Sequence, residues 1–444
     1  MGMIASVLST PMGRRLVNIG HMLTGNFVNA GVMLVAVALA ARGLGPELWG
    51  SMVLILALAS TIERLVKFES WQPLIKFAAE EEVEADPVRM ARLYGYGVLL
   101  DISTAALSAF LLVAIAAVLG PVFGVKGIPL NATAIYSLTM LTKVIGAPGA
   151  ALRLDGRFAT VAYSQILSNI LRVILAALCL WLEAGIIGFI LAWTVAEISY
   201  SALYVWLGCQ SLKRQGVPFP LSVPLKGLKR DFPDFLSFAW STNLSTALRT
   251  LTHEADELVV GAIAGQGAAG MYNLAKRIAK LGQQIAGQVQ TVLYPELARM
   301  WRRGDREVFR GTIFNTQMLL SGTGAAIVVL TWFFGEWLLR IGPGAQYVAA
   351  FPLLMSQVIA VLFIMHSAPA RSALLSMGQP QLVLHVFALS TVVFYMVAIP
   401  GLFYFGPMGA SVAHIVLAVV TAVLLDLGWV YRSQPEMPSA AAAE

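Results

Sequence analysis

The stretch ADELVVGAIAGQGAAGMYNLAKRIAK, residues 255–280, decides the fold. It reads as the end of one helix, a short turn carrying Gly265 and Gly270, and the start of another helix. Charges crowd both sides of the turn: Arg249, His253, Glu254, Asp256 and Glu257 before it, Lys276, Arg277 and Lys280 after it. The surroundings are 58% hydrophobic, and the mean hydropathy is +0.75. Charges inside membrane-length helices are costly, so they face a water-filled cavity or the bundle interior.

The stretch repeats an earlier one. Gly45 and Gly50 of GPELWG are spaced like Gly265 and Gly270, displaced by 220 positions. Gly185 and Gly188 match Gly406 and Gly409, displaced by 221, and APGAALRLDG (147–156) echoes APARSALLSMG (368–378). Three landmarks in one order at one offset indicate an internal repeat.

Only 12% of the residues are charged, and apolar runs of membrane length recur, which points to an all-α polytopic membrane protein. The formal charge of +6 is expected to sit in membrane-side loops and implies no nucleic-acid partner. Cys179 and Cys209 lie in apolar runs and suggest neither a disulfide framework nor a metal site. No cleavable signal peptide is expected, because the first apolar run, 22–41, is already of full membrane length.

Twelve transmembrane helices are expected, near 18–41, 48–70, 93–119, 131–151, 159–182, 186–209, 235–262, 268–297, 312–334, 346–368, 381–404 and 408–430. A polar connector covers 71–92. A basic, proline-bearing linker separates an N-terminal bundle (1–210) from a C-terminal one (234–431), and 211–233 is expected on the cytoplasmic side. The tail 432–444 reads as disordered. Of the 30 lysines and arginines, the loops opposite the N-terminus hold three: Arg42, Lys126 and Arg340. The positive-inside rule then puts both termini in the cytoplasm. Six helices per half give two bundles of the same orientation around a central cavity.

Arg249, mid-helix, either binds an anionic head group with its guanidinium fork or forms a structural ion pair. Lys276 and Lys280 are four apart, with Arg277 beside them. They either line a cavity or reach to the outer interface. Asp256 and Glu257 offset those cations or carry a coupling proton or sodium ion. Arg64 and Lys67 are interfacial anchors or ligand contacts. His21, Asn26 and Asn29 give the first helix a polar stripe suited to helix packing or cavity lining. Arg172 and Lys143 could pair with carboxylates, and Asp101 and Glu197 are lesser coupling candidates. No Walker A, GxSxG, HExxH or CxxC pattern occurs. No cofactor or resident metal is expected.

ARGLGPELWGSMVLILALASTIERLVKFE (41–69), ADELVVGAIAGQGAAGMYNLAKRI (255–278) and ALRLDGRFATVAYSQI (151–166) resemble the polysaccharide biosynthesis and export proteins of the multidrug/oligosaccharidyl-lipid/polysaccharide exporter (MOP) superfamily, the O-antigen and exopolysaccharide flippase group. The resemblance runs over about residues 10–430. It implies a bacterial inner-membrane translocase that moves a polyprenyl-pyrophosphate-linked oligosaccharide to the periplasmic leaflet by alternating access. It also implies a cationic cavity that Arg249, Lys276, Arg277 and Lys280 could serve, with Arg64, His21 and Asn26 as further candidate substrate contacts read from their positions. A polymerase or glycosyltransferase partner fits the pathway, and a monomer is expected. Twelve spans instead of fourteen, and no row of arginines in the first helix, set the chain apart from lipid II flippases. The competing readings are a cation-coupled multidrug exporter, a membrane-embedded ligase or polymerase, and a lipid-interacting scaffold.

Overall fold

The computed structural model describes residues 11–68, 70–81, 86–119 and 130–433, with side chains left out at 11–23, 79–81, 241–242 and 244–254. The elements described are all helical. They are α1 (Pro11–Val66), α2 (Trp71–Glu81), α3 (Pro87–Leu119), α4 (Leu130–Thr142), α5 (Gly146–Leu154), α6 (Phe158–Trp181), α7 (Gly185–Arg214), the single turn α8 (Leu228–Asp231), α9 (Phe235–Ala264), α10 (Gln266–Arg303), α11 (Arg306–Ile341), α12 (Phe351–Ser376), α13 (Pro380–Phe405) and α14 (Pro407–Arg432).

Glycine and proline punctuate the chain where the sequence repeat places them. Gly45 bends α1 with φ 71° and ψ 170°, and Gly265 closes α9 with nearly the same angles, φ 89° and ψ 175°. A residue with a Cβ adopts that region only at a cost. The other repeat landmarks also match: Gly156 and Gly378 have φ 69° and 74°, and Gly185 and Gly406 share φ 59°. Gly50 and Gly270 serve a different purpose. Each stands where a Cβ would meet backbone, Gly50 against the Gln266 carbonyl and Gly270 against that of Pro46. The two turns therefore pack back to back.

Nine helical segments among the described residues are long and apolar enough to cross a membrane. The first of them runs from 24 to 78 and takes in both arms of the kinked α1 together with α2. α9 and α10 are 30 and 38 residues long and are not among the nine found in the described residues; charged and polar side chains lower the hydropathy of α10. The expected single helix over 131–151 is broken: α4 stops at Thr142 and α5 starts at Gly146. Its break is held open by Asp101 of α3, whose Oδ2 accepts from the Gly146 and Ala147 amides at 2.9 and 3.3 Å. Asp101 thus caps a helix other than its own. The connector 71–92 contains the helix α2, whose Leu74 and Ala78 are buried. The tail expected over 432–444 lies outside the described residues from 434 onward.

The chain forms two compact units, Met1–Gly270 and Met271–Glu444. In the first, α1 packs on α6 and α9, α3 on α4, and α7 on α4, α5 and α6. Leu74, Tyr94, Ala147, Leu212 and Phe235 close its core, with the Tyr96 and Phe235 rings stacked at 4.7 Å. In the second, α12 packs on α11 and α14, and α13 on α14. Small buried residues, Ala360, Ala370 and Ala373 of α12 with Ala410, Ala413 and Ala418 of α14, let those helices approach closely. Close packing is what holds membrane helices together, since lipid offers no hydrophobic drive between them.

Candidate functional site

Ser60, Glu63, Arg64 and Lys67 recur at three- and four-residue spacing, so the last turns of α1 present them on one face. In the first unit this face borders a cavity of about 450 Å³. Lys143, Ile145 and Gly146 at the α4–α5 break, Trp71 of α2, Arg153 of α5, Tyr200 and Tyr204 of α7 and Asn243 of α9 complete the wall. Among the described residues, four cations and one carboxylate line it.

Glu63 joins two of the cations. Its Oε2 lies 2.7 Å from Lys143 Nζ and its Oε1 3.2 Å from Lys67 Nζ. Arg153 stacks its guanidinium 4.5 Å over the Trp71 ring and donates to the Gly149 carbonyl at 2.9 Å. The Tyr200 and Tyr204 rings lie 5.4 Å apart. Asn243 is buried. Local folding sets these positions. Helix α5 is oriented by Asp101, and Gly146 leaves room for Ser70 and for that carboxylate, which a Cβ would strike. From the other end, Ser211 of α7 donates to Asp155 Oδ2 at 2.8 Å. The cavity is thus a fixed, cation-rich chamber with aromatic walls, suited to oxyanions.

A second polar network lies in the same unit. Arg172 of α6 is 3% exposed and donates to Glu197 Oε1 of α7 at 2.5 Å and to Asn169 Oδ1 at 2.6 Å. Asn169 in turn donates to Asn29 Oδ1 of α1 at 2.6 Å. The pairing of Arg172 and Lys143 with carboxylates, one of the possibilities in the sequence, is what the structure contains. Asn29 joins helices, whereas Asn26 is exposed.

The remaining sequence candidates are placed as follows. Arg64 and Lys67 line the cavity. His21 and Arg249 have side chains outside the described residues. Asp256 is buried, and its Oδ1 accepts from the Glu257 amide at 2.8 Å; Glu257 is half-buried. In the second unit Lys276 is buried with its ammonium 5.8 Å from the Tyr272 ring centre. Arg277 is half-buried and donates to Asn273 Oδ1 at 3.1 Å, and Lys280 is exposed. The three cations of α10 thus differ in burial and do not form one uniform stripe. Sequence reading missed Arg153, Trp71, Tyr200 and Tyr204 as site residues. The 60/63/64/67 spacing was a signal for two of the four cations and the carboxylate; nothing in the spacing brought Lys143 and Arg153 to them. No group of three or more potential metal ligands occurs among the described residues.

A family model described as polysaccharide biosynthesis protein matches residues 16–301. The inner membrane protein YghQ of Escherichia coli (strain K12) is 24% identical over 331 residues, 74% of this chain and 93% of that protein. Among solved structures, an inward-facing multidrug resistance MATE family transporter of the MOP superfamily superposes with TM-score 0.72 at 16% identity, covering 91% of this chain and 94% of the other. The lipid II flippase MurJ in an inward closed conformation gives TM-score 0.72 at 16% identity, covering 92% and 87%. At such identities these structures establish the fold alone. The family match and the membrane-length helices identify a multi-pass membrane protein of polysaccharide biosynthesis. The chain belongs to the polysaccharide biosynthesis protein family.

Proposed function

We propose that the protein translocates a polyprenyl-pyrophosphate-linked oligosaccharide from the cytoplasmic to the periplasmic leaflet by alternating access. The observation that carries this reading is the charge of the first unit's cavity, four cations against one carboxylate among the described residues, with Trp71, Tyr200 and Tyr204 beside them. Guanidinium and ammonium groups recognise pyrophosphate oxygens, and aromatic faces suit the apolar faces of sugar rings. A pocket for organic cations would carry the opposite balance.

In this reading Arg64, Lys67, Lys143 and Arg153 hold the head group. His21, Asn26, Arg249, Lys276, Arg277 and Lys280 are further cargo contacts along its route, and Asp256 and Glu257 are candidates for ion coupling. The two arms of α1 cross the membrane separately, and α9 and α10 each cross once. With the other crossings this makes twelve spans in two six-helix bundles, 1–210 and 234–431, with both termini cytoplasmic.

The test is translocation in proteoliposomes of a labelled polyprenyl-pyrophosphate oligosaccharide, beside the same lipid lacking phosphate and beside an organic cation. Movement of the pyrophosphate lipid alone supports the reading. Efflux of the organic cation without lipid movement overturns it and favours a multidrug exporter.

A further inference from the structure

Three helices of the second unit meet at a titratable cluster that the cargo site does not use. His366 of α12 stands between two partners. Its Nε2 is 2.9 Å from Asp426 Oδ2 of α14, and its Nδ1 is 2.8 Å from Ser321 Oγ of α11. Gln317, one turn before Ser321, donates to Asp426 Oδ1 at 2.7 Å, and Trp429 Nε1 donates to the same oxygen at 3.1 Å. We infer that the His366–Asp426 pair is a proton-binding site whose occupancy sets the conformation of α12.

The hydrogen-bond inventory supports two states. Nε2 carries a hydrogen toward the carboxylate in both. Ser321 Oγ has two acceptors within reach, His366 Nδ1 and the Gln317 carbonyl at 2.6 Å. With the imidazole neutral, the hydroxyl donates to Nδ1. When a proton bonds to Nδ1, the ring donates to Oγ and the hydroxyl turns to the Gln317 carbonyl. One proton is gained and no donor is left without an acceptor. The pair passes from a net charge of −1 to zero, a large change in a medium of low dielectric.

The surroundings leave the ring one charged partner. α11 brings the neutral Gln317 and Ser321, and α14 brings Asp426 and the neutral Trp429. α10 reaches this part of α12 through Gln290, which donates to the Ala368 carbonyl. Arg371, on α12 itself, stacks its guanidinium toward the Phe387 ring of α13, and His385 of α13 is exposed. Among the described residues, Asp426 is the charged group that touches His366.

Two further features give the site a consequence and a supply. Pro369 lies inside α12, three residues beyond His366, and removes a backbone donor there. The carbonyls beside it are held from outside, Ala368 by Gln290 and His366 by Gln317 Nε2 at 3.4 Å. The side chain that donates to the Asp426 carboxylate thus also reaches the backbone of α12 one turn before Pro369. Trp429, which bonds Asp426, also borders a crevice of about 600 Å³ lined in part by Arg306, Glu307 and Arg310. The crevice thus ends one side chain from the carboxylate.

The proton site stands on geometry, and its use in driving cargo rests on the flippase reading. The test is hydrogen–deuterium exchange of the peptide covering 362–376 in lipid nanodiscs at about pH 5.5 and about pH 8, corrected for intrinsic exchange. The full chain is expected to differ about tenfold between the two conditions, and His366→Gln to abolish the difference. Ser321→Ala, should His366→Gln fail to fold, is expected to move the pH midpoint. No pH difference in the wild type, or one that survives in a folded His366→Gln protein, overturns the site. Cargo lipid that stays put while the exchange difference depends on His366 removes the flippase reading and keeps the proton site. Cargo movement without any exchange difference does the reverse.

Discussion

Glu63 and Lys143 are 80 positions apart in sequence and 2.7 Å apart in space. Their contact joins the end of α1 to the break between α4 and α5, and it places a carboxylate among the cavity's cations. Removing one partner of such a pair leaves the other charge poorly compensated. Lys143→Met is expected to destabilise the folded protein by about 2–4 kcal/mol, and Lys143→Met with Glu63→Leu by less. Thermal unfolding of the purified variants in detergent checks this. Equal or additive losses would show that the pair is not coupled.

Asp101 is read as a structural cap, not as a coupling group. Asp101→Ala should cost about 1–3 kcal/mol, because the Gly146 and Ala147 amides lose their acceptor. Asp101→Asn keeps an acceptor and should retain ion-dependent transport in proteoliposomes. Loss of ion dependence with unchanged stability would return Asp101 to the list of coupling residues.

Gly50 should tolerate no side chain. A Cβ there runs into the Gln266 backbone, so Gly50→Ala is expected to cost about 2–3 kcal/mol or to lower the folded yield sharply. Gly31, which has nothing within 4 Å of an added Cβ, is the control. Size-exclusion profiles of the two variants distinguish them, and matched profiles would contradict the close approach of the two turns.

Arg172 donates to a carboxylate and to an amide oxygen at once, which suits a guanidinium fork better than an ammonium. Arg172→Lys should therefore recover little of the stability lost in Arg172→Gln, a loss of about 1–3 kcal/mol. Full recovery in Arg172→Lys, measured by thermal unfolding, would show that charge alone matters there.

The repeat was legible because glycine is so demanding: Gly45 and Gly265 are spaced alike in sequence and adopt matching backbone angles. The membrane class followed from hydropathy. The break at Lys143–Ile145 was not legible, because its cause, Asp101, sits on another helix 45 residues away. The site was half legible for the same reason. Periodicity brings Glu63, Arg64 and Lys67 onto one face, but only packing brings Lys143 and Arg153 to them. Charge within a helix drew attention to α9 and α10, whereas the cavity of the first unit is built mainly at helix ends and breaks.

The most direct test is equilibrium binding of a labelled polyprenyl-pyrophosphate oligosaccharide to the purified protein, wild type against Arg64→Gln/Arg153→Gln. Two lost charge-assisted contacts should weaken binding about 10- to 100-fold, with folding confirmed by thermal unfolding. Unchanged affinity in the folded double variant, or equal affinity for the lipid without its phosphates, would contradict the cationic cavity as the cargo site.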